Sequence, residues 1–192
     1  MSQIWWICDV SIFLLQIKFD NRFKQDRNKT CKITVDGTDF KICEPTPFNR
    51  MWYSHKFKGP GLRYEIGVSI QGGDIVWTNG PFACGFWPDI SIFRLALIFL
   101  LAIGEMVEAD RGYRGEPTRV RLPHEYVNRS DKRAKDRARA RHETLNGRLK
   151  NWGCLSQTYR HHLKKHILVF RAVVVITQIS IDKGETLFQT NY

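Results

Sequence analysis

The sequence predicts an α/β protein in which helices flank a mixed β-sheet, preceded by an apolar N-terminal helix. Residues 62–70 alternate strictly between apolar and polar positions, as a half-buried strand does. The turn signal Gly72-Gly73 joins this strand to residues 74–80, a second strand-like stretch, which predicts a β-hairpin. Strand-like and helix-like segments then alternate toward the C-terminus, which is the order expected of a sheet covered by helices.

The N-terminal part of the chain contains a predicted helix and a predicted strand. Residues 3–24 are apolar on nearly all sides, so we expect a helix that is buried against other elements. Residues 31–36 predict a strand that has Asp36 on its polar face, because side chains alternate between the two faces of a sheet. We expect Gly37 and Thr38 to end this strand.

The centre of the chain predicts a helix followed by a strand. The helix should begin with Asp89 as its N-cap and run to about Ala102, where Gly104 stops it. Residues 106–110 form a short predicted strand, and residues 119–122 predict a brief further one.

The C-terminal third predicts two helices. The first should begin with Ser130 as its N-cap and run to about Trp152. Leu145, Leu149 and Trp152 repeat at helical spacing and should form its buried stripe. The second covers residues 157–180, and its β-branched end could instead form a strand.

With 192 residues, the chain has the length of one domain and enough apolar residues for a core. We expect an N-terminal helical segment (1–30), one principal domain (31–185) and a tail (186–192). The five widely spaced cysteines favour reduced thiols over a disulfide framework, and hence the cytosol or nucleus. The apolar run 90–103 is too short to span a bilayer, so no membrane association is expected.

Positive charge is concentrated in one part of the sequence. Residues 129–171 contain 13 lysines and arginines against three acids, which accounts for ten of the net +11 charges of the chain. Such a segment is typical of a surface for a polyanion, most often nucleic acid. A solvated basic helix would give the same composition.

Three carboxylates occur in distinctive settings: Asp36 in VDGTDF, Asp110 in EADRGYRG and Glu143 in RHETLNGRLK. If strands 31–36 and 106–110 are neighbours, Asp36 and Asp110 lie about 5 Å apart across the sheet. Two such carboxylates repel by roughly 3 kcal/mol, so they share a proton or bind a cation. Hard ions such as Mg²⁺ prefer oxygen ligands, and Glu143 could supply a third from its helix.

The predicted helix places other polar residues around Glu143. Arg139, Asn146 and Lys150 share its face, away from the apolar stripe, and could hold phosphates beside a metal. The predicted DNA-binding residues are Arg139, Arg141, Asn146, Arg148 and Lys150. The helix alone would equally fit a surface glutamate that makes salt bridges.

Two other acids compete with or support this set. Asp89 is the main rival for the second carboxylate, although its position before an apolar helix favours a capping role. Glu108 shares the polar face of its strand with Asp110 and could support it.

In combination and order, these motifs and the PDISIF stretch around Asp89 resemble the DDE transposases of the Harbinger and related insertion-sequence type. The resemblance covers roughly residues 30–185 and implies an RNase H-like fold. It also implies DNA cleavage and joining with two Mg²⁺ or Mn²⁺ ions, by Asp36, Asp110 and Glu143. The family's tyrosine position before Arg139 holds Asp136 instead, which departs from the pattern.

The resemblance implies a nuclear protein that acts on transposon ends and target DNA. It further implies self-association and a separate DNA-binding partner protein. The leading expectation is therefore a metal-dependent nuclease and strand transferase. The alternatives are a transposase-derived DNA-binding protein without catalysis and, more remotely, an unrelated hydrolase that uses paired carboxylates.

Overall fold

A mixed β-sheet with helices against its faces forms the centre of the protein, as the sequence predicts. The computed structural model of the chain describes residues 16–24, 30–123 and 129–188. Most of the predicted helix 3–24 lies outside these ranges. Inside them, Phe19–Phe23 forms a 3-10 helix rather than α-helix.

The strands are β1 (Cys31–Lys41), β2 (Tyr53–Ser54), β3 (Gly59–Ser69), β4 (Ile75–Ala83), β5 (Met106–Glu108) and β6 (Val120–Arg121). The α-helices are α1 (Asp89–Leu95), α2 (Leu97–Leu100), α3 (Arg129–Lys150), α4 (Gly153–Ser156) and α5 (His166–Asp182). Further 3-10 helices are Arg50–Trp52, Arg111–Tyr113 and Leu163–Lys165.

The sheet order is β2-β3-β1-β5-β6, with β4 also paired to β3. The predicted hairpin is confirmed, because β3 pairs antiparallel with β4. The predicted neighbours β1 and β5 do pair, in parallel, with Thr34 opposite Glu108. Asp36 and Asp110 each follow these paired residues by two positions, so both come at the same end of neighbouring strands.

Alternation along β1 divides the core into two layers. Ile33 and Val35 point to one face and join a cluster with Phe93 of α1. Phe40, at an even-numbered position of the same strand, points to the other face and packs with Leu145 of α3. The polar residues of that second face are thereby directed toward α3.

Two predicted boundaries in the first half are wrong. Strand β1 does not end at Gly37 but continues to Lys41, because residues 37–41 pair in register with residues 61–65 of β3. The helix that was expected to reach Ala102 breaks at Ala96 and continues as α2 only to Leu100. Pro88 is its N-cap, so Asp89 lies inside the first turn and makes no capping hydrogen bond.

Three predictions in the C-terminal third need correction. Helix α3 begins at Arg129, which places Ser130 inside the helix rather than at its N-cap. Leu145 and Leu149 are fully buried as predicted, but Trp152 is 40% exposed and precedes α4. The helix expected over residues 157–180 begins only at His166, whereas its β-branched end is helical as predicted and belongs to α5.

Both chain ends of the described structure pack onto this core. Ile17 and Leu187 are buried in the same cluster as the α3 leucines, although they lie in the predicted N-terminal segment and tail. Among the described residues, no helix is long and apolar enough to cross a membrane.

Candidate functional site

A cleft lies where β1 and β5 end against helix α3, and the three predicted carboxylates line it together. Its volume is about 50 Å³, which holds several water molecules or an ion with part of its hydration shell. The cleft is lined by Thr34, Val35, Asp36, Glu108, Ala109, Asp110, Pro123, Lys135, Arg139, His142 and Glu143. The volume is far below the roughly 300–1,000 Å³ of pockets for organic ligands.

Asp36 lies on the face of β1 that is turned toward α3. The amide nitrogen of Asn146 donates a hydrogen bond of 3.2 Å to Asp36 Oδ2. The hydroxyl of Thr38, two residues further along the same face, donates to Asn146 Oδ1 at 2.8 Å. Asn146, which was predicted to contact DNA, is thus hydrogen-bonded to two polar side chains of β1.

Asp110 lies just beyond β5, at the start of the 3-10 helix Arg111–Tyr113. Its Oδ1 accepts a 2.7 Å hydrogen bond from the backbone nitrogen of Gly112, which caps that turn. One carboxylate oxygen is thus committed to the backbone, and the side chain remains part of the cleft wall.

Glu143 stands at the rim of the cleft on α3. Its side chain is 64% exposed and lies 3.7 Å from the guanidinium of Arg139, one turn earlier. Exposed pairs of this kind contribute little stability, so the carboxylate can leave Arg139 at small cost.

A buried ion pair forms the inner wall. The amine of Lys135 and the carboxylate of Glu108 are 2.5 Å apart and almost completely buried. Lys135 also donates to the carbonyl of Arg121 at 2.8 Å. The predicted support of the cleft by Glu108 therefore takes the form of an ion pair with α3.

His142 is a residue of the cleft that the sequence did not single out. Its Nδ1 is 2.9 Å from the hydroxyl of Thr34, and burial lowers the pKa of the imidazole, so the ring is neutral at physiological pH. Its buried Nε2 has no hydrogen-bond partner among the described residues. His142 precedes Glu143 in the sequence, but this position indicates a role in the cleft only once α3 is known to pack on β1.

Asp89 and Lys56 also lie next to the predicted acids. The carboxylate of Asp89 is 3.2 Å from Arg63. Burial raises the pKa of Asp89, Arg63 and Lys56 lower it, and the nearby Asp36 and Asp110 raise it again. The amine of Lys56, which lies between β2 and β3, donates to the carbonyl of Gly37. No motif marks Lys56 in the sequence, because strand pairing alone brings it to the site.

The predicted DNA-binding residues divide into two groups. Arg139 and Lys150 are exposed on α3. Arg141 is 2% exposed, and its guanidinium donates to the carbonyls of Ile70 and Phe188, among others. This burial removes Arg141 from the DNA-binding set. Arg148 donates to the carbonyls of residues 185 and 186 and anchors the chain there.

The donor set fits a hard divalent cation. Besides Glu108, which is paired with Lys135, the cleft offers three carboxylates, and oxygen ligands of this kind suit Mg²⁺ or Mn²⁺. Within the described ranges, no three His, Cys, Asp or Glu side chains are already grouped closely enough to hold a metal. Glu143 is turned to Arg139 rather than to the other acids, so binding of a shared ion would require this side chain to rotate toward Asp36 and Asp110.

Compared with protein families, curated proteins and solved structures, the chain matches none of them. The functional assignment is therefore based on the cleft itself and on the motifs that supply it.

Proposed function

We propose that the protein is a metal-dependent DNA endonuclease and strand transferase of the DDE type, with an RNase H-like fold. The observation that carries this proposal is the meeting of Asp36, Asp110 and Glu143 around one small cleft. They come from positions 74 and 33 residues apart in the chain. Parallel pairing of β1 with β5 and the packing of α3 on β1 are what bring them together.

The proposed roles follow from the positions of the three acids. Asp36 and Asp110 are the fixed ligands, since each is held by a hydrogen bond from Asn146 or Gly112. Glu143 is the mobile ligand, because it is exposed and only weakly paired. A bound pair of Mg²⁺ or Mn²⁺ ions would supply an activated nucleophile and neutralise charge on the leaving oxygen.

Positive charge around the acids favours a phosphodiester substrate. Arg139 and Lys150 lie on α3 on either side of Glu143, and the amine of Lys56 donates to the carbonyl of Gly37, the residue after Asp36. Burial and the charge of Lys56 lower the pKa of Lys150, whereas Asp39 and Asp36 raise it. These cations and acids are therefore close enough to interact electrostatically. A backbone phosphate placed over the cleft would be held by these cations.

The wider setting is part of the same proposal. We expect a nuclear protein that acts on DNA ends and target DNA, with a separate DNA-binding protein and self-association for sequence recognition and pairing of ends. Asp136 stands where the transposase family that the sequence resembles has a tyrosine. We therefore expect other residues of this chain to hold the end of a DNA strand.

The experiment is cleavage of supercoiled plasmid DNA by the purified chain with Mg²⁺ or Mn²⁺. Asp36→Asn, Asp110→Asn and Glu143→Gln should each lower the rate by on the order of a hundredfold or more. Glu44→Gln, at an exposed acid outside the cleft, is the matched control. Cleavage that survives unchanged in Asp110→Asn would refute the assignment.

A second candidate is a DNA-binding protein that has lost catalysis. It is favoured by the outward orientation of Glu143, which pairs with Arg139 rather than with the other acids. In that case, DNA affinity should fall by nearly one log unit per log unit of salt for each phosphate contacted. Affinity that does not change with divalent metal, without any cleavage, would support this candidate over the enzyme.

A further inference from the structure

The carboxylate of Asp89 occupies the gap between the two segments that carry Asp36 and Asp110. A Cβ atom built on Gly37, the residue after Asp36, would overlap Asp89 Oδ1. A Cβ on Gly112 would lie 2.8 Å from Asp89 Oδ2 and 3.0 Å from Asp110 Oδ1. The two glycines in the VDGT and DRGY motifs therefore leave the room that this side chain fills.

Asp89 is held in the gap by a buried arginine. Arg63 of β3 lies 3.2 Å from Asp89 Oδ1 through one nitrogen and donates to Asp39 of β1 at 2.7 and 3.0 Å through two others. The same guanidinium donates to the carbonyl of Trp87, just before α1. Arg63 thus ties the start of α1 to β1, on the face opposite α3.

The electrostatic surroundings agree with this position. Burial raises the pKa of Asp89, Arg63 and Lys56 lower it, and Asp36 and Asp110 raise it again. Asp89 is thus a close neighbour of both acids, although it does not line the cleft with them. Its side chain lies beside Gly37 and Gly112, on the face of the sheet opposite α3.

We propose that Asp89 is a positioning residue whose side chain sets the separation of the strand ends that carry Asp36 and Asp110. This inference rests on the proposed function only in that these two acids are the expected metal ligands. The role is that of a spacer: the side chain fills the space between Gly37 and Gly112, and Arg63 prevents it from leaving. An acid that merely stabilised the first turn of α1 would not need contact with either glycine.

The test compares Asp89→Ala with Asp89→Asn, which keeps the shape of the side chain and an oxygen facing Arg63. The first readout is hydrogen exchange of the Gly112 amide in metal-free protein, because this amide donates to Asp110. Loss of the spacer should speed its exchange by about tenfold. The amide of Gly147 in α3 should not change. Asp89→Asn should stay close to the wild type.

The second readout is Mn²⁺ affinity measured by calorimetry without DNA. Asp89→Ala should weaken it on the order of tenfold to a hundredfold, and Asp89→Asn should restore it. Equal values for wild type and Asp89→Ala in both readouts, or equal damage by Ala and Asn, would overturn the spacer role. A wild type that binds no Mn²⁺ would instead refute the proposed function, and the exchange comparison would still decide the role of Asp89.

A second variant covers the case in which Asp89→Ala does not fold. Gly112→Ala leaves the ion pair with Arg63 intact but inserts a methyl group between Asp89 and Asp110. It should weaken Mn²⁺ binding at unchanged secondary structure. Gly147→Ala is the matched control, since a Cβ there meets no atom within 4 Å. Equal Mn²⁺ affinity in the two glycine variants would contradict the inference.

Discussion

The side-chain amide of Asn146 on α3 connects to the carboxylate of Asp36 on β1 through a 3.2 Å hydrogen bond. The orientation of that amide is fixed in turn, because its oxygen accepts from Thr38 at 2.8 Å. Asn146 therefore links the helix that carries Glu143 to the strand that carries Asp36. Partners of this kind orient metal ligands and raise the affinity of the site.

Replacement of Asn146 by alanine should weaken Mn²⁺ binding by about 10–100-fold, because the Asp36 carboxylate loses its orientation. The variant should stay folded, since only two partly buried hydrogen bonds are lost. Calorimetric titration with Mn²⁺ measures the effect. Thr144→Ala, an exposed position on the same helix whose hydroxyl bonds only to the backbone of Ala140, is the control. Equal affinities in the two variants would contradict the orienting role.

Glu65 is a fully buried acid on β3, paired with Gly37 across the strand ladder. Burial raises the pKa of Glu65, a 2.8 Å hydrogen bond from Trp77 lowers it and the charge of Asp89 raises it again, which leaves the pKa at about 7. One carboxylate oxygen has no hydrogen-bond partner among the described residues. The protein therefore carries a group that is more easily ionised in the unfolded chain than in the folded one.

The free energy of unfolding should fall between about pH 4.5 and pH 7 because of Glu65. The folded state keeps its proton up to a pKa of about 7, whereas the unfolded value is 4.5. The contribution of Glu65 to the free energy of unfolding is therefore greatest below pH 4.5, and it is lost as the pH rises to about 7. The difference corresponds to about 3 kcal/mol. Urea unfolding at pH 5 and pH 8 measures it against Glu65→Gln, which keeps an acceptor for Trp77.

The variant separates Glu65 from the other titrating groups. Glu65→Gln should gain stability relative to the wild type at pH 8 and little at pH 5. A wild type that loses no more stability than Glu65→Gln over this range would show that Glu65 is ionised in the folded protein.

The parts of the site that the sequence predicts are those set by local order. Alternation along β1 and the position of Asp110 after a short strand place both acids correctly, because strand pairing preserves that order. The role of Asp89 was missed because it depends on contact with Gly37 and Gly112, which are far away in the chain. Arg141 looks like its exposed neighbours in the sequence. Only the docking of α3 against residues 69–71 shows that it is buried.

The ion pair between Lys135 and Glu108 should matter for folding. Both side chains are almost completely buried at the cleft wall. Lys135→Met removes the positive charge that lies 2.5 Å from the buried Glu108 carboxylate, which should cost about 3–5 kcal/mol of unfolding free energy. Denaturant titration measures this loss.

Two further variants make the Lys135 prediction specific. Lys132→Met, at an exposed position in the same helix, should change stability by less than about 0.5 kcal/mol. The double variant Lys135→Met with Glu108→Gln should recover part of the loss, because the buried negative charge is removed together with the positive one. A single variant as stable as the wild type would contradict the buried pair.

Arg139 and Arg141 should separate DNA binding from stability, although they are two residues apart. Arg141→Ala deprives the carbonyls of Ile70 and Phe188 of their donor, so it should lower stability by about 2–4 kcal/mol. Below its unfolding temperature, its DNA affinity should keep the wild-type dependence on salt.

Arg139→Ala should leave stability unchanged within about 0.5 kcal/mol, because its pair with Glu143 is exposed. It should lower the slope of log affinity against log salt by about 0.9, the loss of one phosphate contact. Fluorescence anisotropy with a labelled duplex at several salt concentrations, beside thermal unfolding, measures both quantities. A lower salt slope in Arg141→Ala would mean that this arginine reaches DNA after all.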